Sequence, residues 1–192
     1  MIELDVTDNM ERAKEVLGHI PGAAQRAAAR SLKRALATAK ATAGRSAAEV
    51  YAVKSADVKR YLRTSYRGSD AADRFVGVLQ ASSEAWELSK FPHKPKRAGT
   101  GGVGKPPLRV QILRGRWSQV PGAFVVPLSG VPTVVSRAGR QDLPIRRLAA
   151  VNPAIMLRNE RVREKIEVGA METFYARMAH EVHRALEKEA AK

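Results

Sequence analysis

Three groups of residues have types and spacings that invite a chemical reading. Gly99-Thr-Gly-Gly-Val-Gly104-Lys105 matches the glycine and lysine positions of a phosphate-binding loop. That chemistry also needs a Ser or Thr after the lysine to hold magnesium, a strand before the loop and a helix after it. Pro106 and Pro107 stand there instead, and Phe91-Pro-His-Lys-Pro95 does not read as a strand, so a basic loop is the expectation. His180-Glu-Val-His183 spaces its histidines three apart, whereas a helical zinc site needs them four apart. Asp70 with Asp73, or Glu84 with Glu87, could pair for acid–base work, but solvated carboxylates are the plainer reading in so basic a chain. No Ser or Thr has a nucleophile context, and His93 lies among prolines. The expectation is a protein that is not an enzyme and takes no cofactor or metal.

The charge points elsewhere. The 192 residues carry a net charge of +15, with a pI near 10.6. Such a balance calls for an anionic counterpart: nucleic acid, a membrane surface or acidic faces on protein partners. No acidic residue falls between Glu87 and Asp142, while Lys94, Lys96, Arg97 and Lys105 all do. Cysteine is absent, which excludes disulfides and thiolate ligands. No apolar run approaches the roughly 20 residues of a membrane span, and the acidic opening MIELDVTDNMERAKEV is unlike a signal peptide, so a soluble protein with no membrane partner is expected. Aromatic residues make up 5% and are not interleaved with the cations, and no zinc-finger, RRM, KH or helix-turn-helix pattern occurs. Assembly with proteins therefore ranks above nucleic-acid binding.

The elements that would position these charges are helices at both ends and strands between. A short amphipathic helix is expected over 7–17, capped by Thr7 or Asp8. A longer one over 22–48 places Ala24, Ala28, Leu32, Ala35, Ala39 and Ala43 on a narrow stripe that admits a close neighbour. Its other face carries Arg26, Arg30, Lys33, Arg34 and Lys40. Ser55 is expected to cap a short helix carrying Val58, Tyr61 and Leu62 inward. Strands are expected at 75–79, 85–88, 108–113, 123–126 and 133–135, separated by turns at Pro121-Gly122, Ser129-Gly130 and Ala138-Gly139. The Pro/Gly-rich segment 91–107 reads as a mobile basic arm that becomes ordered against a partner. A final helix over 154–190 repeats Met156, Val162, Ile166, Ala170, Phe174, Met178, Val182 and Leu186 about every fourth residue, and part of that stripe is expected to pack on another subunit.

Several of these stretches, in order, resemble the phage minor tail protein Z family, also called the tail completion protein. The helix of 22–48 resembles the family's opening helix. Tyr51-Ala-Val-Lys54 with Asp57-Val58 resembles its Y-x-V-K-x-x-D element. Val110-Gln-Ile-Leu-Arg-Gly115, Pro121-Gly-Ala-Phe-Val125 and Leu143-Pro-Ile145 resemble its strand, G-A-F and L-P-I elements. Met156-Leu157 with Asn159 and Val162 resembles the start of its last helix. The resemblance spans about 22–165, and Val151-Asn-Pro153 departs from it where a Gly-Pro-Ser-like turn is expected.

The resemblance implies a non-enzymatic virion component at the head-proximal end of the tail. Copies would form a ring, a hexamer by the tail's sixfold symmetry, meeting tail-tube or terminator and head-connector proteins and genomic DNA in the channel. Together the readings give an α+β fold with an N-terminal helical segment (1–50), a central antiparallel β-sheet or small barrel (51–150), and a long C-terminal helix (151–192). The residues expected at partners or DNA are Arg26, Arg30, Lys33, Lys40, Lys94, Lys96, Arg97 and Lys105. A basic nucleic-acid-binding protein is the alternative.

Overall fold

The computed structural model describes residues 1–20, 22–69, 74–96, 107–139 and 143–191. In chain order these form β1 (Ile2–Asp5), α1 (Thr7–Leu17), α2 (Ala23–Val50), α3 (Ser55–Arg60), β2 (Leu62–Ser69), β3 (Arg74–Ala81) and β4 (Trp86–Glu87). After a 3-10 turn over Leu88–Lys90 come β5 (His93–Lys94), β6 (Leu108–Val110), β7 (Ser118–Val120), β8 (Ala123–Leu128) and β9 (Val131–Arg137). The chain ends with β10 (Ile145–Arg147), β11 (Ala149–Ala150), α4 (Pro153–Arg158) and α5 (Glu160–Ala190). The class is α+β, with helices at both ends. Among the described residues the strands divide among four small antiparallel sheets, ordered β1-β3-β2, β10-β9-β8, β11-β4 and β5-β6-β7.

The central finding is an antiparallel helix pair. Alanine is the best helix former, so the Ala-rich α2 needs little outside help to be helical. All six residues of its expected stripe are buried. Val162, Ile166, Ala170, Phe174 and Met178 of α5 are buried as well, and Val182 and Leu186 pack partly against the same core. Two ion pairs mark opposite ends of the register: Arg30 Nη1 to Glu181 Oε2 at 3.0 Å and Lys165 Nζ to Glu49 Oε2 at 2.6 Å. Part of the α5 stripe was expected to pack on another subunit; within the chain α2 covers it from Val162 to Met178, since helices of 28 and 31 residues run nearly equal lengths, about 42 and 46 Å, while Val182 and Leu186 stay half-buried.

The sheet β1-β3-β2 lies against α2, with Ile2, Leu4, Phe75 and Leu79 buried. Gly77 of β3 permits the approach: a Cβ there would stand 2.8 Å from Leu32 Cδ1 and 3.2 Å from Leu36 Cδ2. Gly44 plays the same part where α3 meets α2. The β8–β9 hairpin turns through Ser129 (φ 50°) and Gly130 (φ 79°), two left-handed residues as a type I′ turn requires.

Several local expectations are corrected. β1 and β2 were not anticipated. Val6 holds the cap position of α1 with no side-chain cap, where Thr7 or Asp8 was expected, and the Asp5 carboxylate accepts the Thr7 N–H at 3.1 Å; the Asp8 side chain lies outside the described residues. α3 begins at Ser55, with Lys54 in the cap position and no side-chain cap. The expected strand 108–113 ends at Val110, and that over 85–88 shortens to Trp86–Glu87. The last helix breaks at Asn159 (φ −60°, ψ 126°). α4 is capped by Asn152, whose Oδ1 accepts the Ile155 N–H at 3.0 Å, with Pro153 at the first helical position.

Candidate partner-binding surface

The solvent faces of α2 and α5 form a continuous basic surface. Arg26, Arg30, Lys33 and Arg34 rise from α2, while Arg177, Arg184 and Lys188 rise from α5 beside them. These seven cations line two shallow clefts along the helix seam, with Glu181 and Glu189 as the only carboxylates among the described lining residues. Glu181 is 13% exposed and is taken up by Arg30, which itself stays 58% exposed. That leaves a strong excess of positive charge above an apolar seam. A surface of this kind can bind an extended anionic partner by many weak contacts. Both clefts are open to solvent along the seam.

The sequence placed Arg26, Arg30 and Lys33 on one helix face, and the structure brings them together. Lys40 lies about 15 Å further along α2 from Arg30 at 1.5 Å per residue, outside both clefts. Lys94 is elsewhere, its Nζ 5.2 Å from the centroid of the Trp117 ring, a cation–π distance. Lys96 lines a different cleft with Lys54, Lys90 and Arg114. Arg97 and Lys105 lie outside the described residues, as does the Gly99–Lys105 motif. That motif runs between β5 and β6, two antiparallel neighbours, so the helix that a phosphate loop needs does not follow it. The start of the expected mobile arm is anchored: Phe91 is buried beside Trp86, and His93 and Lys94 pair with Val110 and Arg109.

The α5 cations were missed in the sequence reading. Arg177, Glu181, Arg184 and Lys188 recur at steps of four, three and four, one face of a helix. The apolar stripe of the same helix drew attention away from that second periodicity.

Other candidate groups have local roles. Arg114 Nε donates to the Ala48 carbonyl at 2.8 Å, satisfying a free carbonyl at the end of α2. Lys90 Nζ is 3.0 Å from the Tyr61 hydroxyl and about 5 Å from the Tyr61 and Trp86 rings. Glu87 accepts hydrogen bonds from Arg147 and, at 3.2 Å, from Ser89. The Arg147 hydrogen bond outweighs the opposing effect of burial and, with the Ser89 bond and the positive charge of Arg147 and Lys90, holds the Glu87 carboxyl below its ordinary value. Glu84 is exposed and is not its partner. Asp70 and Asp73 lie outside the described residues. His183 meets Glu187 at 3.0 Å on an open helix face. Among the described residues no three His, Asp or Glu side chains gather where they could hold a metal ion, and no helix is long and apolar enough to cross a membrane.

In comparisons with known proteins the chain matches no protein-family model, no curated protein and no solved structure.

Proposed function

We propose that this chain is a structural virion protein of a tailed phage, acting at the head-proximal end of the tail. In this reading copies form a ring, a hexamer, that completes the tail tube and receives the head connector. The observation that carries it is the one-sided charge of the α2–α5 pair: seven cations against two carboxylates among the described residues lining two clefts open to solvent. Net charge of +15 opposes the crowding of bare copies, so an assembly of them needs anionic neighbours, whether acidic faces of adjoining neck proteins or DNA in the channel. The order of motifs resembling the minor tail protein Z family adds to this. Two of those motifs meet in space, where Tyr51 bridges to Leu113 and the Ala52 N–H donates to the Ile112 carbonyl at 2.9 Å.

The test is charge reversal at Lys33, Arg34 and Arg184, which leaves the Arg30–Glu181 pair in place. Tails assembled with Lys33→Glu/Arg34→Glu/Arg184→Glu should fail to join filled heads while the purified chain melts within a few degrees of the wild type. Normal joining by a folded triple variant refutes the reading.

The same surface favours a second reading, a basic nucleic-acid-binding protein. Binding through phosphates falls with salt by about 0.9 log units per log unit of salt for each contact. Submicromolar DNA binding near physiological salt with a slope steeper than about −4, combined with normal head–tail joining by the triple variant, favours this alternative.

A further inference from the structure

The sheet β1-β3-β2 has two edges that differ in charge. Among the described residues β2 is hydrogen-bonded to a strand on one side only, to β3 over its full length, and so is β1. β2 is an uncommon edge: every residue from Arg63 to Arg67 is exposed, including Tyr66 at 50%, so both of its faces are open. A long open edge presents a row of backbone donors and acceptors to any other strand. The register fixes the charges beside those edges. Glu3 and Asp5 stand next to Val78 and Val76, and the same two valines pair on their other side with Ser65 and Arg67. Along one face of the sheet the order is therefore carboxylate, valine, then the β2 side with Arg63 and Arg67.

We infer that copies of this chain associate head to tail, the β1 edge of one against the β2 edge of the next, with Glu3 and Asp5 facing Arg63 and Arg67 across the junction. This rests on the ring reading above and names the contact that would build it. Charge decides between the possible pairings. A symmetric β2–β2 contact sets arginines against arginines, and a β1–β1 contact sets carboxylates against carboxylates. Like charges directly opposed across strands are destabilising. Only the unlike pair combines opposite signs with free backbone groups. Such a contact uses two different patches, so it does not stop at a dimer. It repeats until rotation closes it into a ring. Closure also removes both open edges, which a monomer leaves exposed.

Mass measurement by light scattering, with and without tail tubes, tests this on wild type, Arg63→Glu/Arg67→Glu and the rescue variant Glu3→Lys/Asp5→Asn/Arg63→Glu/Arg67→Glu, in which Asn keeps the acceptor for the Thr7 N–H, each checked for folding by its thermal melt. The wild type should assemble, the double variant should run at the monomer mass of 20.9 kDa, and the rescue variant should regain the wild-type mass. Each reversal in the double variant lowers the net charge of +15 by two, so a general relief of self-repulsion predicts stronger association, opposite to the inference. A double variant that keeps the ring mass overturns the edge contact and leaves the ring reading standing. One that dissociates without recovery in the rescue variant overturns the pairing of these two edges. A wild type that stays at 20.9 kDa in every condition overturns both.

Discussion

Gly44 and Gly169 lie inside the two long helices, and replacing each by alanine should move stability in opposite directions. By helix propensity alone, both changes stabilise by about 1 kcal/mol. At Gly169 the nearest outside atom to a new Cβ is Thr42 Oγ1 at 3.9 Å, an ordinary contact, so the propensity gain should survive. At Gly44 the Cβ would stand 2.6 Å from Lys59 Cγ, 2.8 Å from Ser55 Oγ and 2.9 Å from the Ser55 carbonyl oxygen. The first two can swing away, but the third is backbone at the first turn of α3, so relief requires α3 to move off α2. Overpacking of this kind costs about 1–3 kcal/mol, which exceeds the propensity gain over most of that range. Gly44→Ala should lose about 1 kcal/mol net, and Gly44→Val, with less propensity to recover, about 2–3 kcal/mol. For a chain of this size each kcal/mol shifts Tm by about 2–4 °C. Calorimetric melts of the three variants would read these shifts directly. If Gly44→Ala raises Tm as Gly169→Ala does, the close α2–α3 contact described above is wrong.

Two further outcomes follow from local geometry. The Glu87 carboxyl is lowered in the folded chain, chiefly by the Arg147 hydrogen bond, so its contribution is present above the unfolded glutamate value and lost as pH falls through the folded one. Arg147→Ala should therefore lower Tm slightly at neutral pH, with the gap to wild type closing below about pH 4; a gap that widens in acid refutes the assignment. Ser129 occupies a left-handed position before Gly130, and asparagine tolerates that backbone better, so Ser129→Asn should raise Tm by about 1–3 °C in the same melts.

Helix stripes and tight turns were legible in the sequence because a single strong pattern dictates them. The alanine stripe of α2 is buried beside a close neighbour as read, the four-residue repeat of α5 is buried from Val162 to Met178, and Ser129-Gly130 forms the turn its composition suggests. β2 was illegible for a physical reason: with both faces open, Arg63-Thr-Ser-Tyr-Arg67 has no apolar alternation, and pairing with β3 alone makes it a strand. β1 alternates, but over only four residues. The break at Asn159 does not interrupt the apolar repeat, so periodicity carried across it. Half of the basic surface was visible as the outer face of α2. The other half needed the knowledge that α5 lies antiparallel beside it, a contact between residues 151 apart such as Arg30 and Glu181, which no local pattern encodes.

The distance along the chain between α2 and α5 matters during synthesis. About 110 residues separate the end of one from the start of the other, so at about 5–20 residues per second a ribosome needs roughly 5–20 seconds to reach α5. Through that interval the inner face of α2 has no mate on the side that α5 will cover. A leucine-rich face left waiting would invite wrong partners, since each buried CH₂ is worth about 0.8 kcal/mol. A face built of single methyl groups offers a chaperone or a neighbouring nascent chain far less to hold. The alanines that later let two helices close tightly thus also keep the unfinished protein from sticking.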